Sequence, residues 1–446
     1  MDLTKLGARE AARLIADGEV TSEDLVTACL ERISAREDEV RAWAHLQPEL
    51  ALQQARERDD QRSTGGPLGP LHGVPVGIKD IFDTAQWPTE NGAALDRGRQ
   101  PETDSAVVDR LRAAGAVIMG KTVTTEYANA CPAVTRNPHD PAHTPGGSSA
   151  GSAAAVADGM VPLAIGSQTA GSVIRPAAFC GVVGFKPSFG RISRAGMYLQ
   201  SRRLDHVGVF ARSVIDAAVL TDALVGHDPA DGDTVTGPAP RLAAIAVEAP
   251  PVSPTFAFAK TQAWAQREDD LAECFAELTE FLGDGCIDVD LPQPFEAAIE
   301  LHRTVMHADV AQTLAGHYQR GRDQLSKQLR QAIESGQKVL AVDYNRAVDW
   351  MDVLGAGLAE VFENCDAILT PAAAGTAPLG LETTGNPAFC SLWTYCGLPA
   401  VSLPLLQGTN GLPIGAQLVG RRGDDARLLR TAHWLVERLS AADDQS

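Results

Sequence analysis

The chain has 446 residues, of which 44% are hydrophobic, and its formal net charge is −19. It can bury a large core, as one large α/β domain or as two to three smaller ones. Phosphate binding needs clustered Lys and Arg, so the acidic balance argues against a nucleic-acid surface. The sequence contains no apolar run long enough to span a bilayer and starts without a signal-peptide core. We therefore expect a cytoplasmic protein.

The 8 cysteines are scattered, with no C-x-x-C pair and no Cys/His cluster at zinc spacing. Scattered cysteines of this kind are typical of reduced, buried thiols in a cytosolic protein. The sequence therefore predicts no metal site and no disulfide framework.

Residues 1–65 carry the signals of N-terminal helices. Thr21-Ser22 precedes Glu23-Asp24, which is typical of a helix cap with acidic residues in the first turn. From about residue 70 to 245, short Val/Ile/Leu runs alternate with Gly-rich turns and helical segments, as in an α/β sheet. The strand candidates in this part are Val74–Ile78, Val117–Met119, Val161–Ile165, Val182–Phe185 and Val207–Phe210.

Residues 250–345 differ from their surroundings because they are rich in charged helical sequence. We predict a variable inserted helical region, packed over or beside the sheet. Strand signals return at 367–369, 401–403 and 417–419, and a closing helix is predicted over 425–439. Because strand signals flank the helical stretch on both sides, we predict one domain with an insertion and not two independent domains.

Residues 115–122 match the P-loop pattern letter for letter. A P-loop needs a strand before its first glycine and a flexible polar loop between its glycines. Here the strand-like residues Val117–Met119 lie between the glycines, and a helical stripe precedes Gly115. The pattern therefore predicts helix, glycine and strand, without a nucleotide site.

Residues 147–151 match the G-x-S-x-G nucleophile elbow, which needs a strand running directly into it. The preceding residues, 136–145, contain Pro138, Pro141 and Pro145 and cannot form a sheet strand. A Ser-His-Asp hydrolase built on Ser149 is therefore not expected. The 10 histidines form no convincing cluster in the sequence.

Three segments hold reactive residue types in Gly-rich or strand-like surroundings. These segments are Gly73–Asp80, Pro145–Ser152 and Gly166–Pro176. A serine hydroxyl, as in Ser148 and Ser172, is a poor nucleophile until a base removes its proton. A lysine can act as that base when burial lowers its pKa. Lys79 ends an apolar run that would desolvate it.

Together these segments resemble the amidase signature family, serine hydrolases that cleave amide-type C–N bonds. The 24-residue gap between Ser148 and Ser172 is nearly fixed in that family. The resemblance covers roughly residues 1–245 and 360–440. It implies an α/β fold, with residues 1–446 forming a single large domain whose mixed central β-sheet is flanked by helices.

The resemblance also implies a role for each catalytic residue type. Lys79 would be the base, Ser148 would take a cis peptide geometry and relay the proton, and Ser172 would attack the carbonyl. No metal or organic cofactor is implied. Thr169, Ala170 and Gly171 would supply backbone N–H groups to a developing oxyanion, since their small side chains permit a close approach.

Three aromatic residues, Phe389, Trp393 and Tyr395, lie close together just before a family-like segment. They are candidates for an apolar substrate pocket, because substrate sites are mostly apolar. The alternative is that they fill the core, since large aromatic side chains dominate core burial.

Three departures from the family pattern are present. Gln168 stands where the family commonly has Asp, and Ala170 stands where it often has Gly. The family usually has Arg two places after the nucleophile, where this chain has Ile174, and Arg175 follows one place later. None of these departures removes a catalytic side chain, but they weaken any assignment to a subgroup.

The predicted function is a stand-alone amidase that acts on a carboxamide, anilide, carbamate or ester through an acyl-enzyme on Ser172. The expected partners are a small-molecule amide or carbamate and a second copy of the chain in a homodimer, without nucleic acid or membrane. One alternative is the glutaminase-like subunit of a tRNA-dependent amidotransferase, which would need partner subunits. The other is a catalytically dead scaffold, and retention of all three catalytic residue types argues against it.

Overall fold

A computed structural model describes residues 1–443, whose strands form one 11-stranded sheet. In space the strands follow the order β1-β3-β2-β4-β6-β5-β10-β11-β9-β7-β8. The strands are β1 Trp43–Leu46, β2 Pro75–Lys79, β3 Val117–Thr122, β4 Leu163–Gln168, β5 Val183–Lys186, β6 His206–Ala211, β7 Phe256–Ala259, β8 Cys286–Val289, β9 Ala367–Pro371, β10 Ala400–Gln407 and β11 Pro413–Val419.

Helices flank this sheet. They are α1 Ala8–Asp17, α2 Ser22–Val40, α3 Pro48–Ser63, α4 Ala106–Ala113, α5 Ala150–Ala157, α6 Ile174–Cys180, α7 Val214–Leu224, α8 Leu242–Ala246, α9 Asp269–Leu282, α10 Ala298–Thr313, α11 Ala315–Gly321, α12 Lys327–Gly336, α13 Ala341–Val361, α14 Ala388–Tyr395 and α15 Asp425–Asp443. The predicted cap of α2 is confirmed as a capping box, in which the Thr21 hydroxyl accepts the Asp24 N–H and the Asp24 carboxylate accepts the Thr21 N–H.

The sheet is mixed. Strand β2 is parallel to β3 and β4, and β7 is parallel to β8 and β9. The other strand pairs are antiparallel, including β5–β10, which joins the two halves of the sheet through Ser402 opposite Gly184. The predicted fold class, a single large α/β domain with a mixed central sheet flanked by helices, is confirmed.

Three strands lie where the sequence predicts helices. Strand β1 lies between α2 and α3 and pairs with β3. Strands β7 and β8 lie within residues 250–345 and extend the sheet beyond β9. Each has only four residues, so its pattern is too short to be separated from the charged helices around it.

The strands at the centre of the sheet are buried along their whole length. Every residue of β2, β3 and β4 is buried. Strands covered on both faces consist of near-continuous apolar runs, as the strand candidates here do. Within residues 1–443, no helix has both the length and the apolar character needed to cross a membrane.

Candidate active site

Lys79 and Ser167 meet at the carboxyl ends of two neighbouring parallel strands. Lys79 is the last residue of β2, and Ser167 lies one residue before the end of β4. Because β2 and β4 are parallel, with Ile78 opposite Ile165, their carboxyl ends open at the same edge of the sheet. There Lys79 Nζ lies 2.9 Å from Ser167 Oγ.

The Lys79 amine also contacts Ser148, with 2.7 Å between Nζ and Oγ. Burial lowers the pKa of Lys79 to about 7, although the negative charge of Asp205 acts in the opposite direction. A large share of the amine is therefore neutral at pH 7. A neutral amine has a free lone pair, so it can accept the Ser148 proton while it donates an N–H to Ser167.

The peptide bond between Gly147 and Ser148 is cis, as the resemblance implies. Gly146, just before it, has φ +82°, and a Cβ there would lie 2.9 Å from the Pro176 Cα, so this turn requires glycine. Ser148 and Ser172 line the same cavity, with a volume of about 90 Å³. The side-chain hydrogen bonds of the described residues join Lys79 to Ser148 but do not join Ser148 to Ser172.

Residues 169–172 connect the end of β4 to helix α6. Within the described part of the chain, these four residues donate no backbone hydrogen bond, so their N–H groups are free. The Thr169 carbonyl lies 2.8 Å from His302 Nε2, which comes from α10. Burial lowers the pKa of His302 to about 4. A neutral imidazole from α10 therefore fixes the loop that carries the predicted oxyanion donors.

A carboxylate also holds this loop in place. Thr169 Oγ1 donates to Asp205 Oδ1 at 2.5 Å, and the Asp205 Oδ2 accepts the N–H groups of Gln200 and Ser201 at 2.7 and 3.1 Å. Burial raises the pKa of Asp205 to about 6, and the hydrogen bond from Thr169 opposes that rise.

Gln168 holds the start of helix α6. Its Oε1 accepts the N–H groups of Val173 at 2.8 Å and Ile174 at 3.0 Å, which have no partner inside the helix. Its Nε2 lies 2.9 Å from Thr394 Oγ1 in α14. Gln168, which stands where the family commonly has Asp, therefore keeps the acceptor oxygen and adds an N–H donor that a carboxylate lacks.

The predicted pocket aromatics lie in helix α14, in which every residue is buried. Phe389 and Trp393 belong to the hydrophobic core, and the Tyr395 hydroxyl donates to the Ala347 carbonyl. The described residues that line the cavity of Ser172 include Pro387, which precedes α14, but none of these three aromatic residues. Tyr395 lines a larger cavity of about 850 Å³ instead. The structure thus places Phe389 and Trp393 where core filling would put them.

The P-loop match is a buried structural segment. Strand β3 contains Lys121, whose Nζ lies 3.0 Å from the Asp80 carboxylate and 2.6 Å from Thr89 Oγ1. Gly115, between α4 and β3, has φ +85° and ends the helix. Because Lys121 is fully buried in this ion pair, it is not available to a phosphate. The predicted order of helix, glycine and strand is confirmed.

The elbow match is also structural. No strand of the described chain runs into Ser149, which is the residue before α5. The Ser149 hydroxyl is buried and donates to the Ser167 carbonyl at 3.2 Å. Ser149 therefore supports the strand that carries Ser167.

Sequence reasoning missed the residues that reach the site from distant segments. His302 contacts the Thr169 carbonyl from α10, and Thr394 contacts Gln168 from α14. No local pattern marks either residue, because each contact spans more than 100 positions of the chain. Ser167 could have been found, since the parallel pairing of β2 and β4 places it beside Lys79.

The chain is similar to known proteins over almost its whole length. The amidase family model matches residues 24–429. The chain is 34% identical to the A subunit of the glutamyl-tRNA(Gln) amidotransferase of Chloroflexus aurantiacus, covering 96% of each protein. It is 35% identical to the protein of the same name from Anaeromyxobacter sp. strain K, covering 98% of this chain and 97% of that one.

Solved structures share the fold over nearly the whole chain. A chain of an inhibitor-bound vestigial protein complex, described as revealing the evolutionary origins of an s-triazine catabolic enzyme, superposes with a TM-score of 0.91 at 26% identity, covering 97% of this chain and 98% of that one. The peptide amidase of Stenotrophomonas maltophilia superposes with a TM-score of 0.84 at 28% identity, covering 98% and 97%. With a family model that spans most of its length and relatives above 30% identity, this chain belongs to the amidase signature family, whose enzymes act on C–N bonds.

Proposed function

We propose that this enzyme is a serine hydrolase that cleaves amide-type C–N bonds through an acyl-enzyme on Ser172. The observation that carries the proposal is the Lys79 amine, which is buried, has a pKa of about 7 and lies 2.7 Å from the Ser148 hydroxyl. Ser148 in turn lines the same cavity as Ser172. The proposed substrates are carboxamides, anilides, carbamates and related esters.

The proposed mechanism uses residues that line this cavity, together with Lys79, which reaches it through Ser148. As the Ser172 oxygen bonds to the substrate carbonyl carbon, its proton passes to Ser148, and the Ser148 proton passes to Lys79. The carbonyl oxygen becomes an oxyanion and accepts the free N–H groups of residues 169–172. The C–N bond then breaks, and the proton returns through Ser148 to the departing amine. Water, deprotonated along the same path, hydrolyses the acyl ester and restores Ser172.

Active-site labelling tests the nucleophile. A fluorophosphonate is expected to form an adduct on Ser172, located by mass spectrometry of the digested protein. Ser172→Ala should abolish both the adduct and amide hydrolysis. Ser149→Ala is the matched control, because this buried neighbour is the serine of the elbow match, and it should keep the adduct on Ser172. Labelling that persists in Ser172→Ala would contradict the assignment.

The second candidate function is the amide-cleaving subunit of a tRNA-dependent amidotransferase. Relatives named as the A subunit of glutamyl-tRNA(Gln) amidotransferase are 34–35% identical over almost the whole chain, which supports this candidate. Both candidates use the same acyl-enzyme and differ in the substrate and in the fate of the released ammonia. Such a subunit would be found in a stable complex with other chains and would prefer glutamine to other amides.

A comparison of substrates separates the two candidates. The measurement is kcat/KM of the purified chain for free glutamine, a short aliphatic amide and an aryl amide, together with affinity purification from its own host. Glutamine preference together with a stable heteromeric partner would establish the amidotransferase role. Turnover of other amides by the isolated chain, without such a partner, would establish the stand-alone amidase.

A further inference from the structure

Arg175 lies beside the proposed nucleophile in the same cavity. Its N–H donates to the Gly171 carbonyl at 2.9 Å, so residues 171–175 form one helical turn. Residues three apart on such a turn point to the same side, with about 5–6 Å between their Cβ atoms. Arg175 and Ser172 are related in this way, and both line the cavity that also contains Ser148.

The Arg175 guanidinium is buried, since the residue is only 4% exposed. Most of its N–H groups have no hydrogen-bond partner among the described residues. A guanidinium has five N–H donors. The Nη2 group donates to the Gly147 carbonyl at 2.6 Å and to Thr384 Oγ1 at 3.3 Å. Among the described residues, Nε and Nη1 have no hydrogen-bond partner, which leaves one N–H on Nε and two on Nη1 without an acceptor.

Among the described residues around the cavity, no acidic side chain compensates this charge. Burial lowers the pKa of Arg175 to about 10, so the side chain is still a cation at neutral pH. Of the described residues that line the cavity, none is Asp or Glu. A buried charge without a partner is strongly destabilising, and buried arginines are therefore normally paired with carboxylates or phosphates. An anionic group is therefore the partner that this guanidinium would bind.

We propose that Arg175 binds a carboxylate group of the substrate, so that the enzyme acts on amides that carry a carboxylate a few bonds from the scissile carbonyl. This inference rests on the proposed function, because it takes the carbonyl to be attacked by Ser172. The bond from Nη2 to the Gly147 carbonyl places the guanidinium one peptide unit from Ser148. A half-amide of a short dicarboxylic acid has the required chemistry, with its amide at the serines and its carboxylate at the guanidinium.

The absence of Asp and Glu from the described cavity lining also bears on glutamine. Free glutamine carries an ammonium group beside its carboxylate, and a buried ammonium needs an acidic partner as much as a carboxylate needs a basic one. The cavity therefore favours an anion over a zwitterion.

Paired substrates of nearly equal size test the proposal. Succinamate carries the carboxylate, and succinamide replaces it with a neutral amide. In the wild-type enzyme, kcat/KM is expected to be about 10- to 100-fold higher for succinamate, the effect of one charged hydrogen-bonded pair. In Arg175→Gln, kcat/KM should become nearly equal for the two substrates, even if the substitution lowers both values. Arg175→Lys should keep part of the preference for succinamate. Arg212→Gln, outside the cavity, is the control and should leave the ratio unchanged.

Calorimetry with succinate gives a readout that does not depend on turnover. Succinate should bind the wild-type protein and bind Arg175→Gln at least tenfold more weakly, while thermal unfolding shows that the variant is folded. If the wild type hydrolyses succinamide at least as well as succinamate and does not bind succinate, the carboxylate proposal is wrong and the proposed hydrolase stands. If the fluorophosphonate fails to label Ser172, the proposed function is wrong. The calorimetry then still shows whether Arg175 binds a carboxylate, because succinate binding does not depend on turnover.

Discussion

The environment of Lys79 gives one side chain the property that the proposed chemistry needs. A lysine in water is almost fully charged at pH 7 and cannot accept a proton. Here the apolar interior of the sheet removes the water, and burial lowers the pKa of Lys79 to about 7. The two hydroxyl groups within 2.9 Å then hold the amine in place without adding a negative charge that would protonate it.

This arrangement predicts the pH dependence of the reaction. Only the neutral amine accepts a proton, and its fraction rises with pH through the pKa. The value of log kcat/KM should therefore rise with unit slope below pH 7 and level off above it. Lys79→Arg should lose about 10²- to 10⁴-fold in kcat/KM, because a guanidinium gives up no proton in a protein.

A second buried lysine is the matched control for this measurement. Burial also lowers the pKa of Lys186 to about 7, but its amine donates to the Leu398 and Pro187 carbonyls, away from the serines. Lys186→Met should keep the inflection near pH 7. Substantial amidase activity in Lys79→Arg, or loss of the inflection in Lys186→Met, would exclude Lys79 as the base.

At the scale of elements, helix α5 packs very closely beneath the site. It begins two residues after Ser148 and is built from Gly, Ser, Ala and Val. A Cβ on Gly151 would lie 2.2 Å from the Ala42 carbonyl oxygen and 2.4 Å from the Val123 nitrogen. These neighbours are backbone atoms of other segments and cannot rotate away. The small residues therefore allow α5 to approach the sheet closely enough to place Ser148 beside Lys79.

A pair of glycine substitutions tests this close packing. In an open helix position, Gly→Ala stabilises by about 1 kcal/mol. Gly355 in α13 is such a position, because a Cβ added there would have no neighbour within 4 Å, and Gly355→Ala should raise the apparent Tm. Gly151→Ala should lower it instead, because overpacking costs about 1–3 kcal/mol. Equal shifts for the two variants at one scan rate would disprove the packing argument.

Elements with strong local signals could be predicted from the sequence, and elements defined by distant contacts could not. Strand β2 and its lysine are marked by a continuous apolar run, and α2 by its cap. Strands β7 and β8 are short, and they form because the sheet edge at β9 supplies hydrogen-bond partners for β7, which in turn supplies them for β8. The same holds within the site. Ser148 and Ser172 are marked by their own segments, whereas His302 is brought to the site by the packing of α10.

At the scale of the whole molecule, the charge of −19 sets what the surface can attract. Phosphate backbones are bound by clustered Lys and Arg, and acidic proteins repel them. The isolated chain is therefore expected not to bind tRNA at 150 mM salt, with a Kd weaker than about 100 µM. Filter binding with bulk tRNA measures this. Tight, salt-sensitive binding would contradict the prediction. If the chain acts within an amidotransferase, this result would assign the tRNA surface to a partner.

The division of the sheet into two halves has a consequence for synthesis on the ribosome. Strands β1 to β6 come from residues 43–211, and β7 to β11 come from residues 256–419. The first six strands can assemble while the rest is still being translated, which leaves the edge of β5 open until β10 emerges. Translation of the roughly 220 intervening residues takes on the order of 10–45 s. An open strand edge readily pairs with other chains, so the nascent half is exposed to aggregation during that interval. Thr394, which holds Gln168, is also translated only near the end of that interval, so the start of helix α6 gains its last support in the finished chain.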